Sequence, residues 1–249
     1  MVLLAANRYL NLEGEQWKFA RGAIQRFHAW HRQAELSRYA LLLQNAAGRV
    51  RRGLTRDDVE WAILNVRVRY AAAVDAAVGE GAPVLRTLST RNIAHLERRF
   101  AADDRKRAGA LARDPGKRDR ARVEAIAKRV EEWTGPLSGE QQELIRRFVR
   151  ATADHPRHAH EHRQRKQREL VARLEPAGDG ARQTPTADEW RSFFLSWEAE
   201  QPARERDYHA RFVPFVLALD RSLSVGQRAH VIERLGGYAE DFRWLSRRS

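Results

Sequence analysis

Cysteine is absent from this 249-residue chain. That excludes disulfides, thiol catalysis and cysteine-ligated zinc or iron–sulfur centres. Long apolar runs are also missing, none approaching the ~20 residues that span a bilayer. The start, "MVLLA", is too short for a signal-peptide core and has neither a basic n-region nor a cleavage site. Alternating strand patterns are absent and β-branched residues are sparse. The sequence carries no G-x-S-x-G, H-E-x-x-H, P-loop or dinucleotide fingerprint, and no carboxylate stands isolated on an apolar face. We therefore expect a protein that is not an enzyme and needs no cofactor. Helix-turn-helix, zinc-finger and RNP-type signatures are missing too, which makes nucleic acid the weaker choice of partner.

Lysine is scarce: only Lys18, Lys106, Lys117, Lys128 and Lys166 among 46 basic residues, leaving 41 arginines. The formal net charge is +13 and the sequence pI about 10.9. Such a charge suits an acidic protein surface, an anionic membrane or a nucleic acid. The same arginine and alanine bias also arises from a GC-rich genome on solvated helix faces.

Helical periodicity dominates what is present. Ala20, Ile24, Phe27, His31 and Ala34 line one face, as do Arg228, Val231, Leu235, Tyr238, Phe242 and Leu245. The pattern predicts an all-α fold of eight or nine helices, at roughly 14–51, 56–79, 90–112, 117–133, 139–153, 157–174, 187–200, 203–222 and 225–247. "EGAP" (80–83), "RDPG" (113–116), "TGP" (134–136) and "EPAGDGARQTP" (175–185) read as turns or loops. We expect one compact domain over 1–249, with 175–185 the candidate internal boundary. Pro214 should kink or restart its helix. Gly236–Gly237 each cost about 1 kcal/mol relative to alanine, which suggests a close helix crossing there.

The helices begin in a recurring way. Ser138 with Gln141, and Ser224 with Gln227, have the spacing of the capping box, in which hydroxyl and side-chain amide each bond the other residue's backbone N–H. Thr55–Asp58, Ser89–Asn92, Thr186–Glu189 and Glu13–Gln16 are looser versions. Leu54 with Val59 and Leu88 with Ile93 fit hydrophobic staples.

L-[ST]-x-x-Q before an amphipathic helix, in "LSGEQQELIRRF" and "LSVGQRAHVIERL", is similar to the LTxxQ repeats of Spy/CpxP-like periplasmic chaperones. A broader resemblance runs through "LNLEGEQWKFARGAIQRFHAWHRQAELSRYALLL", "EEWTGPLSGEQQELIRRF" and "LDRSLSVGQRAHVIERLGGYAEDFRWL". These segments resemble an uncharacterised proteobacterial lipoprotein family, a domain of unknown function that follows a signal peptide and a lipidated cysteine. The resemblance implies an envelope domain facing the periplasm and tethered through a lipid anchor outside this sequence. A native start at Met1 would instead imply a cytoplasmic protein.

Three constellations are candidate sites. His158 and His162, four apart within "DHPRHAHEHRQRKQREL", could share a metal ion on a helix. His28 and His31 flank Trp30 as a possible acid–base pair oriented by Glu35, although the apolar stripe favours a buried structural His31. Two basic runs contain Arg118, Arg122, Arg146, Arg147, Arg150, Arg165 and Arg168, a polyanion or client surface if they share a face. The seven tryptophans fall mostly at core positions, and an exposed subset would suit chaperone-like binding. We expect a protein that acts by binding envelope proteins or acidic surfaces, as a chaperone or adaptor, with nucleic-acid or polyanion binding in the cytoplasm, or histidine-based metal binding and sensing, as alternatives.

Overall fold

The computed structural model describes residues 2–175, 185–199 and 202–247. The loop expected at 175–185 as an internal boundary lies almost wholly outside them. The fold is all-α, and no strand occurs among the described residues. In chain order the α-helices are α1 (Val2–Leu10), α2 (Gly14–Trp30), α3 (Leu36–Arg51), α4 (Arg56–Arg86), α5 (Thr90–Leu111), α6 (Pro115–Thr134), α7 (Gly139–Ala151), α8 (His155–Leu174), α9 (Ala187–Ala199), α10 (Pro202–Arg221) and α11 (Val225–Arg247). A π-helical turn, His31–Glu35, joins α2 to α3.

The backbone divides into two compact units, each assembled from three separated segments. The first contains Met1–Trp30, Tyr70–Ala112 and Pro156–Glu200, and the second His31–Arg69, Arg113–His155 and Gln201–Ser249. In the first, α1 packs on α2 and α5. Its core joins Ala20 and Ala23 of α2, Val74, Val78 and Val84 of α4, Leu96 of α5, Val171 and Leu174 of α8, and Trp190 and Phe193 of α9. In the second, α11 lies along α3, with Ala47, Val50 and Leu235 at the seam. There α7 packs against α6 and α10, with Phe148 stacked on Phe215 at 4.4 Å between ring centroids.

Several elements depart from the sequence pattern. The segment 14–51 is interrupted by the π-turn. Beyond it the core-facing positions are Leu36, Ala40, Leu43, Ala47 and Val50, out of phase with the Ala20–Ala34 stripe. An extra residue in a turn rotates the helix face, so the buried stripe of α3 does not continue that of α2. "EGAP" does not break α4: Val78, Ala82 and Val84 are buried around it, and tertiary burial overrides the weak local propensity. Pro214 likewise sits inside α10, beside fully buried Val213. "RDPG" starts α6 instead of preceding it as a loop, since Asp114 caps the Lys117 N–H at 2.9 Å and Pro115 occupies the first turn. Helix α1 was not anticipated.

Gly236 and Gly237 lie within continuous α11, and a Cβ added at either would meet no atom within 4 Å. Among the described residues no close crossing occurs there to offset their helix cost. Gly236→Ala and Gly237→Ala should each stabilise the protein by about 1 kcal/mol, read from urea-unfolding midpoints.

Candidate functional site

All six expected helix starts form, three in each unit. Ser138 and Gln141 make a complete capping box, and so do Ser89 and Asn92. Ser224–Gln227, Thr55–Asp58 and Thr186–Glu189 make the same reciprocal bonds. At Glu13 the backbone N–H donates to Gln16 Oε1 at 3.5 Å, while the side chain accepts from Asn11 Nδ2 at 3.1 Å.

In the second unit two of these caps are bonded to each other. Gln141 Nε2 donates to Gln227 Oε1 at 2.8 Å, and Gln227 Nε2 donates to Gln141 Oε1 at 3.0 Å. Each amide also donates to the carbonyl two residues before the other cap: Gln141 to Ser222 O at 3.1 Å and Gln227 to Pro136 O at 2.8 Å. With the N–H bonds from Ser138 and Ser224, each glutamine uses two donors and two acceptors, its full capacity. Gln141 is completely buried. The first unit repeats the design. Gln16 Nε2 donates to Asn92 Oδ1 at 3.1 Å and to Thr87 O, two residues before Ser89. Asn92 Nδ2 donates to Asn11 O, two residues before Glu13, and to Leu10 O.

The remaining caps carry carboxylates. Asp58 accepts from Thr55 N and Oγ1, from Arg49, and from Arg52 at 2.7 Å. Burial pushes its carboxyl up, but these donors outweigh burial and hold it at about 2. Nearby Asp220 accepts from Leu54 N at 2.9 Å and from Arg228 at 2.8 Å, tying the α3–α4 turn to α10 and α11.

The histidine, arginine and glutamate candidates take varied places. Glu35 is fully buried at the end of the π-turn, where Arg38 at 2.7 Å and Arg69 at 3.2 Å neutralise it. Its carboxylate is thus committed to arginines. His31 is half-buried, not buried as expected, and meets the Tyr39 ring at 5.4 Å; His28 is exposed. His158 and His162 lie on α8, with His162 Nδ1 3.3 Å from Arg165. Among the described residues no three His, Asp or Glu side chains are grouped to hold a metal.

The basic candidates do not share one unit. Arg118, Arg122, Arg146, Arg147 and Arg150 belong to the second, and Arg165 and Arg168 to the first. Arg122 is turned inward, donating to Val149 O at 3.2 Å and Thr152 Oγ1 at 2.9 Å. Arg146 and Arg150 both bind Glu143, at 2.7 and 2.9 Å. Hydrogen bonds from these two arginines hold the Glu143 carboxyl below its ordinary range. Arg122 is thus committed to the fold, while Arg146 and Arg150 stay at the surface, paired with Glu143.

The exposed aromatic surface lies elsewhere in the second unit, where α6 meets α11. Trp133, in the last turn of α6, is 37% exposed. Its ring lies 5.6 Å from that of Tyr238 on α11. The Arg234 guanidinium sits 5.6 Å from the Trp133 ring and 5.7 Å from the Tyr238 ring, and donates to the Tyr238 hydroxyl at 3.2 Å. Leu245, seven residues beyond Tyr238 and so on the same helix face, is exposed, as is its neighbour Trp244. Gly135, with φ +75°, ends α6 just past Trp133. Pro136, next in line, is held by Gln227.

Residues 8–186 match a family of unknown function, DUF6279. The chain belongs to that family. No curated protein and no solved structure matches it. The DUF6279 match includes Ser138–Gln141 but ends before Ser224–Gln227, the cap to which it is bonded. It likewise contains Trp133 but not Arg234 or Tyr238. The residue at the third helical position separates the two kinds of cap in this DUF6279 protein. Amides stand at the third helical position of the caps that pair, and carboxylates at those that do not.

Asp58 supplies a pH test. Its folded value of about 2 lies below the ordinary 3.8. It therefore contributes stability, about 2 kcal/mol, that is present above pH 5 and lost as pH falls toward 2. Asp58→Asn should be less stable than the native chain at pH 7 and show a flatter loss of stability between about pH 5 and 2, followed by urea unfolding at each pH.

Proposed function

We propose that this DUF6279 domain works in the bacterial cell envelope by binding another protein, as a chaperone or adaptor, through the α6–α11 face. The observation that carries this reading is the exposed Trp133–Tyr238–Arg234 cluster, extended by Leu245. Tryptophan, tyrosine and arginine are the residues that dominate protein-binding hot spots. Here the guanidinium holds both rings in place, so little side-chain entropy is lost on binding. The partner this surface suits is an apolar segment of a partly unfolded or acidic protein. The net charge of +13 favours its approach. The envelope location is supported by the resemblance of residues 10–43, 131–148 and 219–245 to a lipoprotein family, with the lipid anchor upstream of the domain.

The test is suppression of aggregation of a chemically denatured client, such as citrate synthase, diluted into buffer with the protein. The native chain should suppress aggregation at equimolar ratio. Trp133→Ala/Tyr238→Ala, with unchanged circular dichroism, should need roughly tenfold more protein for the same effect, since two such anchors contribute on the order of 1.4 kcal/mol or more. Equal potency of native and variant chains, or no suppression by the native chain, would contradict the proposal.

A further inference from the structure

A cation withdrawn from water is ordinarily paired. In the second unit Arg49, Arg69 and Arg228 follow that rule, binding Asp58, Glu35 and Asp220. Arg234, also partly buried, does not. Among the described residues it forms no ion pair. Its contacts are the Trp133 and Tyr238 rings and one hydrogen bond, from Nη2 to the Tyr238 hydroxyl at 3.2 Å. Its nitrogens differ in access. Nε is shut off from solvent and has no acceptor, whereas Nη1 is not closed off and donates to none of the described residues. The buried edge strips the guanidinium of part of its hydration, and the lower local dielectric strengthens its pull on an anion at the open edge.

Tyr238 supplies a second donor. Its hydroxyl oxygen accepts from Arg234, so its own hydrogen remains free to donate, and no acceptor takes it among the described residues. The open edge of Arg234 and the Tyr238 O–H thus stand side by side, two donors for the two oxygens of a carboxylate. The surrounding charge narrows the choice of anion. Arg129 lies one turn before Trp133, but Glu131 and Glu132 adjoin Trp133, and Asp241 lies two turns beyond Arg234 on the same face of α11. Dianionic phosphate groups are taken by clusters of arginines. With one guanidinium against three acids, a single negative charge is favoured. The guanidinium adjoins both rings. A carboxylate within a chain leaves an apolar neighbour on each side to cover a ring, which a chain terminus does not.

We propose that Arg234 and Tyr238 form a carboxylate clamp, so that the segment bound by the α6–α11 face carries a glutamate or aspartate side chain between apolar residues. The inference rests on the binding face proposed above and specifies its partner. The test is calorimetric titration of the full chain with three acetylated peptides: LLELL-amide, LLQLL-amide and LLQLL with a free C-terminus. The glutamate peptide should bind roughly tenfold more tightly than its glutamine counterpart, the gain of a charge-assisted bond, and the ratio should shrink as salt is added. Arg234→Gln should bring the ratio to about one. Tyr238→Phe keeps the ring, so it should lower the ratio about threefold while leaving the glutamine peptide's affinity unchanged. A merely structural role for either side chain would weaken both peptides alike. Equal binding of the two amidated peptides by the native chain, or an unchanged ratio in both variants, would overturn the clamp and leave the apolar face standing. Binding of the free-ended peptide as tight as that of the glutamate peptide would overturn the assignment to a side chain. No binding of any peptide would contradict the clamp and the face together.

Discussion

Two side-chain amides facing each other, Gln141 and Gln227, are the contact on which the second unit turns. Each sits at the third position of its helix, where α7 and α11 begin. The starts of two helices carry unpaired N–H groups and like partial positive charge, and would ordinarily repel. Here each amide closes its own cap and then bonds the other amide and a carbonyl before the other cap. Neither carboxylate nor hydroxyl could replace it, because the arrangement requires two donors and two acceptors in one plane.

The consequence reaches the surface. Because Gln227 holds Pro136, the end of α6 is fixed at the start of α11. Trp133 lies in that last turn of α6, and Tyr238 lies further along α11. Cap chemistry thus sets the register of the two helices, and the register sets an aromatic pair under one guanidinium. Asp220 adds a second tie, holding the α3–α4 turn and Arg228 together. In the first unit Gln16 and Asn92 make the corresponding junction between α2 and α5.

The all-α fold and its helix starts were legible because both depend on local chemistry: apolar spacing near 3.6 residues and a hydroxyl or acid three residues before an amide or acid. What escaped the sequence was non-local. "EGAP" looked like a turn, and only the burial of Val78, Ala82 and Val84 keeps it helical. The π-turn left no compositional mark, since one added residue changes a helix's face without changing its propensity. Arg122 read as surface charge, yet it is turned inward to Val149 O and Thr152 Oγ1. Trp133 resembled the other core tryptophans until α11 was placed beside it. Serine and glutamine announced a capping box, but not that two boxes would meet.

Capping boxes are ordinarily satisfied by glutamate as well as by glutamine. The paired amides make that equivalence fail at one position, which gives the most direct test: the urea-unfolding free energy of Gln141→Glu at pH 7. Glutamate would still close the cap on Ser138, but it could donate neither to Ser222 O nor to Gln227 Oε1. It would also bury a carboxylate against them. A loss of about 2–3 kcal/mol is the predicted result. Stability within about 0.5 kcal/mol of the native chain would show that the two caps stand independently, and would contradict the account.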